Sequence, residues 1–278
     1  MPELPEVETI VNELNKVLKN RKIKEVFLNW DKLLKKRIKL EDFKKILKNK
    51  KILKVSRRAK NILIELENGL ILLIHLKLTG RILYGEKSFI EKDPYLRFYL
   101  VLDNQKIMAL SDLRKFAKIL LIKKEELEKI EDLKDLGPEP LAKEFTLEKL
   151  IERLKNKNKK IKEVLMDQKV IAGIGNIYAN EILWEAEINP FKLSKDLNQK
   201  EFENLYKAIR KVLSLAIKYQ GSTISDEMYR DIYGKEGEYG KIRKVYQREG
   251  EKCFRCQSKI LRKVQNGRST FYCPKCQK

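Results

Sequence analysis

The amino-acid sequence predicts an α+β protein: a helix leading a mainly β domain, a helical region after it, and a small cysteine-bounded hairpin at the end. Three observations carry this expectation. Apolar residues recur at three- and four-residue spacing in the opening stretch and again beyond Phe145. Between Asn61 and Ile122 they instead form short runs separated by turn dipeptides, and all four cysteines fall in the last 26 residues.

The opening "MPELPEVETI" begins a stripe of Val7, Ile10, Val11, Leu14, Val17 and Leu18, so a helix is expected from about Glu3 to Lys19. Pro2 reads as a first-turn residue, where a missing N–H costs little, with Glu3, Glu6 and Glu8 at the positive end of the helix dipole. Lys-rich segments follow, in which basic residues punctuate apolar ones. "NILIELENGLILLIHL" then reads as two strands joined at Asn68-Gly69, a dipeptide that tolerates positive φ in a tight turn. "LRFYLVLDNQKIMALSD" repeats the scheme with Asp103-Asn104 in the turn, and "FAKILLI" adds another strand.

A charged stretch ends in Gly137-Pro138 and Pro140, which break a continuing helix and mark a domain boundary. Past it, "TLEKLIERLKNK", "KKIKEVLMDQ", "GNIYANEILWEAE" and "NQKEFENLYKAIRKVLSLAIKYQ" each carry helical periodicity, and "GSTISDEMYRDIYGKEGEYGK" reads as a mobile loop. The expected domains are therefore 1–135, 136–240 and 241–278.

The net charge of +22 is too large for a solubility device and points to a polyanionic partner, nucleic acid or an anionic membrane surface. No apolar run approaches bilayer length, and carboxylates stand where a secretory signal carries basic residues, so a cytoplasmic protein is expected. The single histidine, His75, excludes a His-rich catalytic metal centre, and a Ser-His-Asp triad would have to use it. Within an apolar run it reads as a core or strand-end residue.

Cys253-x2-Cys256 and Cys273-x2-Cys276, sixteen residues apart, supply four thiolates for one tetrahedral zinc. With no open position such a zinc is structural. Residues 241–278 hold twelve Lys/Arg against two Glu, so this hairpin is a candidate phosphate binder. Arg268 follows a Gly turn at its tip, where it reads either as a phosphate ligand or as a solvated turn residue. In "GIGNIYANE", Gly173 and Gly175 permit a tight turn and Asn176 stands where a helix begins, an arrangement that suits a phosphate or simple packing.

Taken together, "PELPEVET", "RRAK" before a strand, "HLKLTG", "GIGNIYANE" and the terminal CxxC–CxxC resemble the formamidopyrimidine-DNA glycosylases over essentially the whole chain and in the same order. The resemblance implies a bifunctional base-excision enzyme that removes oxidised purines from double-stranded DNA and cleaves the abasic strand. It implies an N-terminal β-sandwich with a flanking helix, a helix–two-turn–helix module and a zinc finger, with DNA in the cleft between the halves. Met1 would be removed, and the secondary amine of Pro2 would attack the sugar C1′ to form a Schiff base. Glu3 would act as acid/base at the ring oxygen, and Glu6 would support the same site.

Lys60 would bind the phosphate or the lesion, with Lys162, Asn176 and Arg268 on phosphates. Leu78, Arg114 and Phe116 would wedge into the gap left by the flipped nucleotide. Here the sequence departs from the family pattern, with Leu78 in place of a methionine, Leu113 for a proline and Lys115 for an arginine. A prokaryotic, nucleoid-associated monomer is expected. The related endonuclease VIII-like enzymes, which prefer oxidised pyrimidines, are the alternative within the class, and a non-catalytic zinc-finger DNA-binding protein is the alternative outside it. The "LPEVET" opening and the loop from Gly221 to Lys241 favour the purine-directed branch. A merely DNA-binding protein leaves Pro2, Glu3 and Glu6 together unexplained.

Overall fold

The computed structural model describes residues 1–34, 38–224 and 229–278. They form two compact units, 1–134 with 219–240, and 135–218 with 241–278.

In the first unit, helix α1 (Leu4–Leu18) leads to β1 (Ile23–Leu28), α2 (Leu40–Leu47), β2 (Ile52–Arg58), β3 (Asn61–Leu66), β4 (Leu70–His75) and β5 (Gly80–Glu86). A single turn, α3 (Lys87–Ile90), precedes β6 (Leu96–Leu102), β7 (Lys106–Asp112) and β8 (Lys118–Lys123), and α4 (Glu131–Lys134) closes the unit. Two four-stranded antiparallel sheets result, in the orders β1-β6-β7-β5 and β2-β3-β4-β8. Both contribute to one core: Phe98, Leu100, Met108 and Leu110 from one sheet meet Ile62, Ile64, Leu72 and Ile74 from the other, with α1 supplying Val7, Ile10, Val11 and Leu14. This is the expected β-sandwich with a flanking helix.

The reading of Pro2 as a first-turn residue is corrected. Helix α1 starts at Leu4 with Glu3 as its N-cap in extended conformation, so the first-turn proline is Pro5 and Pro2 lies ahead of the helix. Asn68 and Gly69 both take positive φ (62° and 67°) in the β3–β4 connection, as expected. In the β6–β7 connection the left-handed residue is Gln105 (φ 66°), one beyond the expected Asp103-Asn104 pair.

In the second unit, α5 (Leu147–Leu154), α6 (Ile161–Met166), α7 (Asn176–Glu185) and α8 (Gln199–Lys218) match the four expected helices, and β9 (Leu261–Gln265) pairs with β10 (Arg268–Tyr272) in the terminal hairpin. Every residue of α7 from Ile177 to Trp184 is buried, so this helix is the axis of the unit.

The sequence places Tyr219–Gly240 with the helices of a 136–240 domain; in the structure this segment belongs to the first unit. Tyr229 and Ile232 enter the sandwich core, while the Ile232 N–H donates to Glu13 Oε2 at 3.2 Å and its carbonyl accepts the Tyr84 N–H at 2.8 Å. Residues 225–228 of the expected mobile loop lie outside the described residues. No helix among the described residues is long and apolar enough to cross a membrane.

Candidate functional site

The N-terminus is organised by one carboxylate. Glu6, 1% exposed in the first turn of α1, accepts the Glu3 N–H on Oε2 at 2.8 Å and the Ser222 N–H on Oε1 at 2.8 Å. A side chain that caps its own helix therefore also holds a segment 216 residues away. Gly221, at φ +81°, makes this approach sterically possible: a Cβ there would lie 2.8 Å from Glu6 Oε1 and 3.0 Å from Tyr229 Cε1. Burial first, and the nearby Glu6 charge second, push the Tyr229 phenol far above its ordinary range, so it stays neutral.

Lys60 sits at the β2–β3 hairpin tip, next to Ala59 at φ 52°. Arg57 clamps that tip to α1, donating Nε to Glu8 Oε2 at 2.6 Å and Nη1 to the Ala59 carbonyl at 2.9 Å. Although a lysine, Lys60 is only 5% exposed. It belongs to a basic cluster around His75, the strand-end residue of β4 that pairs with Asn61 and Lys118. His75 Nδ1 accepts the Lys77 N–H at 2.9 Å, which leaves its proton on Nε2. Burial, then Lys77, Lys118 and Lys60, push its pKa down to about 3 against the opposing pull of Asp132.

A neutral His75 has a consequence for stability. The unfolded chain binds a proton below about pH 6.5 while the folded chain does not, so this contribution is present above that pH and lost as pH falls toward 3. Because the chain has one histidine, the effect is isolated. Between pH 7 and pH 5, His75→Gln is expected to lose about 1–2 kcal/mol less stability than the native protein. Urea melts at pH 5, 6 and 7 measure this, and parallel profiles for the two proteins would refute it.

The three expected wedge residues lie on two loops of the first unit. Leu78 (40% exposed) is between β4 and β5, and Arg114 and Phe116 (50% exposed) are between β7 and β8. Asp112, fully buried at the end of β7, ties the loops together: Oδ1 accepts Thr79 Oγ1 at 2.5 Å and the Arg114 N–H at 3.2 Å, and Oδ2 accepts the Ala117 N–H at 2.8 Å. The Arg114 guanidinium lies over the Phe116 ring, 4.9 Å from its centroid. Of the three departures from the family pattern, Leu78 and Leu113 are exposed and Lys115 stacks its ammonium 4.4 Å from the Trp30 ring centroid.

In the second unit, Asn176 opens α7 as expected. Gly173 takes φ +90°, and Gln168 stitches the turn by accepting the Gly173 N–H at 2.9 Å and donating to the Ile174 carbonyl at 2.7 Å. Asn176 Nδ2 meets the Tyr246 hydroxyl at 3.4 Å. Lys162, 2% exposed on α6, donates Nζ to the Ser269 carbonyl and to Thr270 Oγ1, both at 2.8 Å. Arg268 is exposed just past the Asn266-Gly267 turn, and it lines one pocket with Lys162, Lys159 and Gln265.

The sulfurs of Cys253, Cys256, Cys273 and Cys276 lie within 4.8 Å of one another, with Cys253–Cys276 at 3.9 Å and Cys256–Cys273 at 3.3 Å. A tetrahedron with Zn–S bonds of about 2.3 Å needs sulfur separations of about 3.8 Å, so the donor set fits zinc with no open position.

Three organising residues escape sequence reasoning: Asp112, Gln168 and Glu181. Glu181 accepts the N–H groups of Val245 and Tyr246 on Oε1, both at 2.9 Å, and that of Lys244 on Oε2 at 2.7 Å. Burial pushes its carboxyl up from the ordinary range against these donors. An acid set between Ile177, Tyr178 and Ala179 on one side and Ile182, Leu183 and Trp184 on the other is the signal that marks it. Nothing comparable marks Asp112 or Gln168.

Three family models match the chain: the formamidopyrimidine-DNA glycosylase N-terminal domain over residues 1–119, the formamidopyrimidine-DNA glycosylase H2TH domain over 136–228, and a zinc finger found in FPG and IleRS over 250–278. A formamidopyrimidine-DNA glycosylase of Pelotomaculum thermopropionicum is 42% identical over 281 residues, covering 100% of this chain and 99% of its own. One of Chloroflexus aurantiacus is 42% identical over 278 residues, with 100% and 98% covered. Among solved structures, the Thermus thermophilus protein superposes with a TM-score of 0.89 at 34% identity, covering 99% of this chain and 98% of its own. The Lactococcus lactis protein bound to abasic-site DNA gives 0.91 at 32% identity, with 99% of each chain covered.

Proposed function

Because this chain belongs to the formamidopyrimidine-DNA glycosylase family, we propose that it excises 8-oxoguanine and formamidopyrimidines from double-stranded DNA and cleaves the abasic strand through a Schiff base on Pro2. The observation that carries this reading is the bridge from Glu6 to the Glu3 and Ser222 N–H groups, which holds the residue after Pro2 at the start of α1. With Met1 removed, the Pro2 nitrogen attacks C1′ and the glycosidic electron pair leaves with the base. Glu3 protonates the ring oxygen as the sugar opens, giving an iminium on Pro2. That iminium accepts electrons as a C2′ proton is lost and the 3′ phosphate departs; elimination of the 5′ phosphate follows, and water releases the enzyme.

On the DNA, Lys60 binds the phosphate or the lesion, Asn176 and Arg268 bind phosphates, and Lys162 binds phosphate while bracing the strand that carries Arg268. Leu78, Arg114 and Phe116 fill the vacated stack. The four cysteines hold one structural zinc. The bacterial sources of the curated relatives support a prokaryotic cytoplasm, at the nucleoid, as the place of this reaction.

Borohydride trapping tests the central claim. The processed protein on an 8-oxoguanine duplex is expected to give a covalent adduct that maps to the N-terminal peptide. An adduct on a lysine, or one undiminished in Pro2→Gly with Met1 retained, would sink it. An oxidised-pyrimidine duplex run in parallel separates the endonuclease VIII-like reading, which requires that duplex to be cut faster. The names of the curated relatives favour the purine.

Opposite-base choice follows from Arg114. Its guanidinium has donors and no acceptor, so it satisfies the O2 and N3 of an orphaned cytosine, whereas adenine presents an amine donor. Such a contact is worth roughly 1–3 kcal/mol, so 8-oxoguanine opposite cytosine is expected to be excised at least several-fold faster than opposite adenine. Single-turnover rates in the native protein and in Arg114→Ala measure it; a preference that survives the substitution would exclude Arg114.

A further inference from the structure

The zinc ligands are not alone in contacting their own sulfurs. Trp184, in the last turn of α7, is 4% exposed and aims its indole Nε1 at Cys253 Sγ, 3.4 Å away. A buried indole N–H needs an acceptor, and the one it meets is a thiolate of the metal site. Arg255, inside the same CxxC knuckle, grips the indole from its face, with Cζ 3.9 Å from the ring centroid. It also donates Nη1 to the Trp184 carbonyl at 2.5 Å and Nη2 to the Glu185 carbonyl at 3.0 Å, and pairs with the carboxylates of Glu185 at 3.8 Å and Glu187 at 3.6 Å. The knuckle is thus fastened to the helix end twice, by a cation on its terminal carbonyls and by a hydrogen bond to a ligand sulfur.

We propose that Trp184 is a positioning residue of the zinc centre, its indole N–H holding the Cys253 thiolate while Arg255 fixes the plane of the ring. The inference rests on the zinc reading of the four cysteines. A tryptophan present only for packing would be replaceable by phenylalanine at some cost in stability and none specific to the metal. A donor to a ligand sulfur does more, because it draws charge from the thiolate and sets its direction. Losing such outer-shell contacts typically weakens metal binding about 10–100-fold.

The test uses the full-length chain, loaded with zinc or with cobalt(II). In Trp184→Phe, competition against a chromophoric chelator is expected to show at least about tenfold weaker zinc binding. The cobalt form should keep tetrahedral d–d bands while its sulfur-to-cobalt charge-transfer band moves to longer wavelength, since Cys253 has lost a donor. Weaker packing alone would not move that band. Should Trp184→Phe fail to fold, benzothienylalanine at position 184 in a Trp30→Phe background keeps the ring outline, exchanges N–H for sulfur and gives the same readouts. Native zinc affinity with an unmoved band in either protein overturns the proposal. Cys253→Ser distinguishes the deeper failure: if it too binds cobalt like the native chain, the zinc reading itself is wrong.

Discussion

Cys253→Ser and Cys276→Ser are each expected to empty the zinc centre, release the β9–β10 hairpin and lower DNA affinity by about 10²-fold or more. A two-stranded hairpin is marginal by itself in water, and here its exposed strand β9 buries only Gln265. Besides the metal, β10 is held by the Phe271 N–H on Asn180 Oδ1 at 2.7 Å, the two Lys162 bonds to Ser269 and Thr270, and the buried rings of Phe271 and Tyr272 against Tyr246 and Phe191. The bonds are worth about 1 kcal/mol each and the rings roughly 1.5–3 kcal/mol each, together less than the roughly 10–16 kcal/mol of apparent binding free energy for a structural zinc. Metal therefore decides the equilibrium. With it gone, Arg268, at the start of β10, and the exposed Arg262 and Lys263 of β9 lose their fixed positions. The measurements are zinc content, near-ultraviolet circular dichroism and duplex affinity at fixed salt. Metal-free protein with native affinity and cleavage would overturn the structural role of the site.

How far the sequence discloses this architecture depends on where each strand lies in its sheet. β3, β4, β6 and β7 are central strands and β8 is a covered edge, so their runs of Leu and Ile stand out. β1, β2 and β5 are edges of their sheets; β1 and β2 carry exposed lysines, which guard against further pairing, and β5 has its Tyr84 N–H taken by the Ile232 carbonyl. β1 and β2 also carry bulges, at Ile23/Glu25 and Ile52/Lys54, which slip the alternation by one residue and hide it. "KIKEVFL" and "KILKVSRR" consequently read as Lys-rich segments and not as strands. The four helices of the second unit are legible because their apolar faces are continuous, and the zinc ligands because CxxC spacing is local.

The candidate site divides along the same line. Candidate residues that sit at a turn or at the start of an element, such as Lys60, Asn176 and Arg268, are visible through local motifs. Those that join distant segments are not. Asp112 connects loops 33 residues apart, and Glu6 reaches Ser222, and no periodicity records either pairing. Tyr219–Gly240 illustrates the cost: its Gly, Tyr and charged residues show no repeat, yet Tyr229 and Ile232 are core residues of a sandwich begun 200 positions earlier.

Glu6→Gln is expected to slow excision by about 10²-fold with little change in KM, although the side chain keeps its size and shape. The native carboxylate accepts two backbone N–H groups, one on each oxygen. An amide offers one acceptor oxygen, so in either orientation its NH2 faces the Glu3 or the Ser222 N–H, leaving a buried donor unpaired. That costs roughly 1–3 kcal/mol, and the surroundings leave little room to relieve it: even a Cβ added at Gly221 would lie 2.8 Å from Glu6 Oε1 and 3.0 Å from Tyr229 Cε1. The strain falls on the N-terminal turn. A displacement of about 1 Å at a nucleophile is enough for a 10²-fold loss, whereas the phosphate contacts proposed for Lys162, Asn176 and Arg268 lie on other elements. Single-turnover excision and duplex affinity, measured together for Glu6→Gln, separate the two effects. Native rates in Glu6→Gln would remove Glu6 from the positioning of Pro2, and an equal fall in affinity and rate would make it a DNA-binding residue instead.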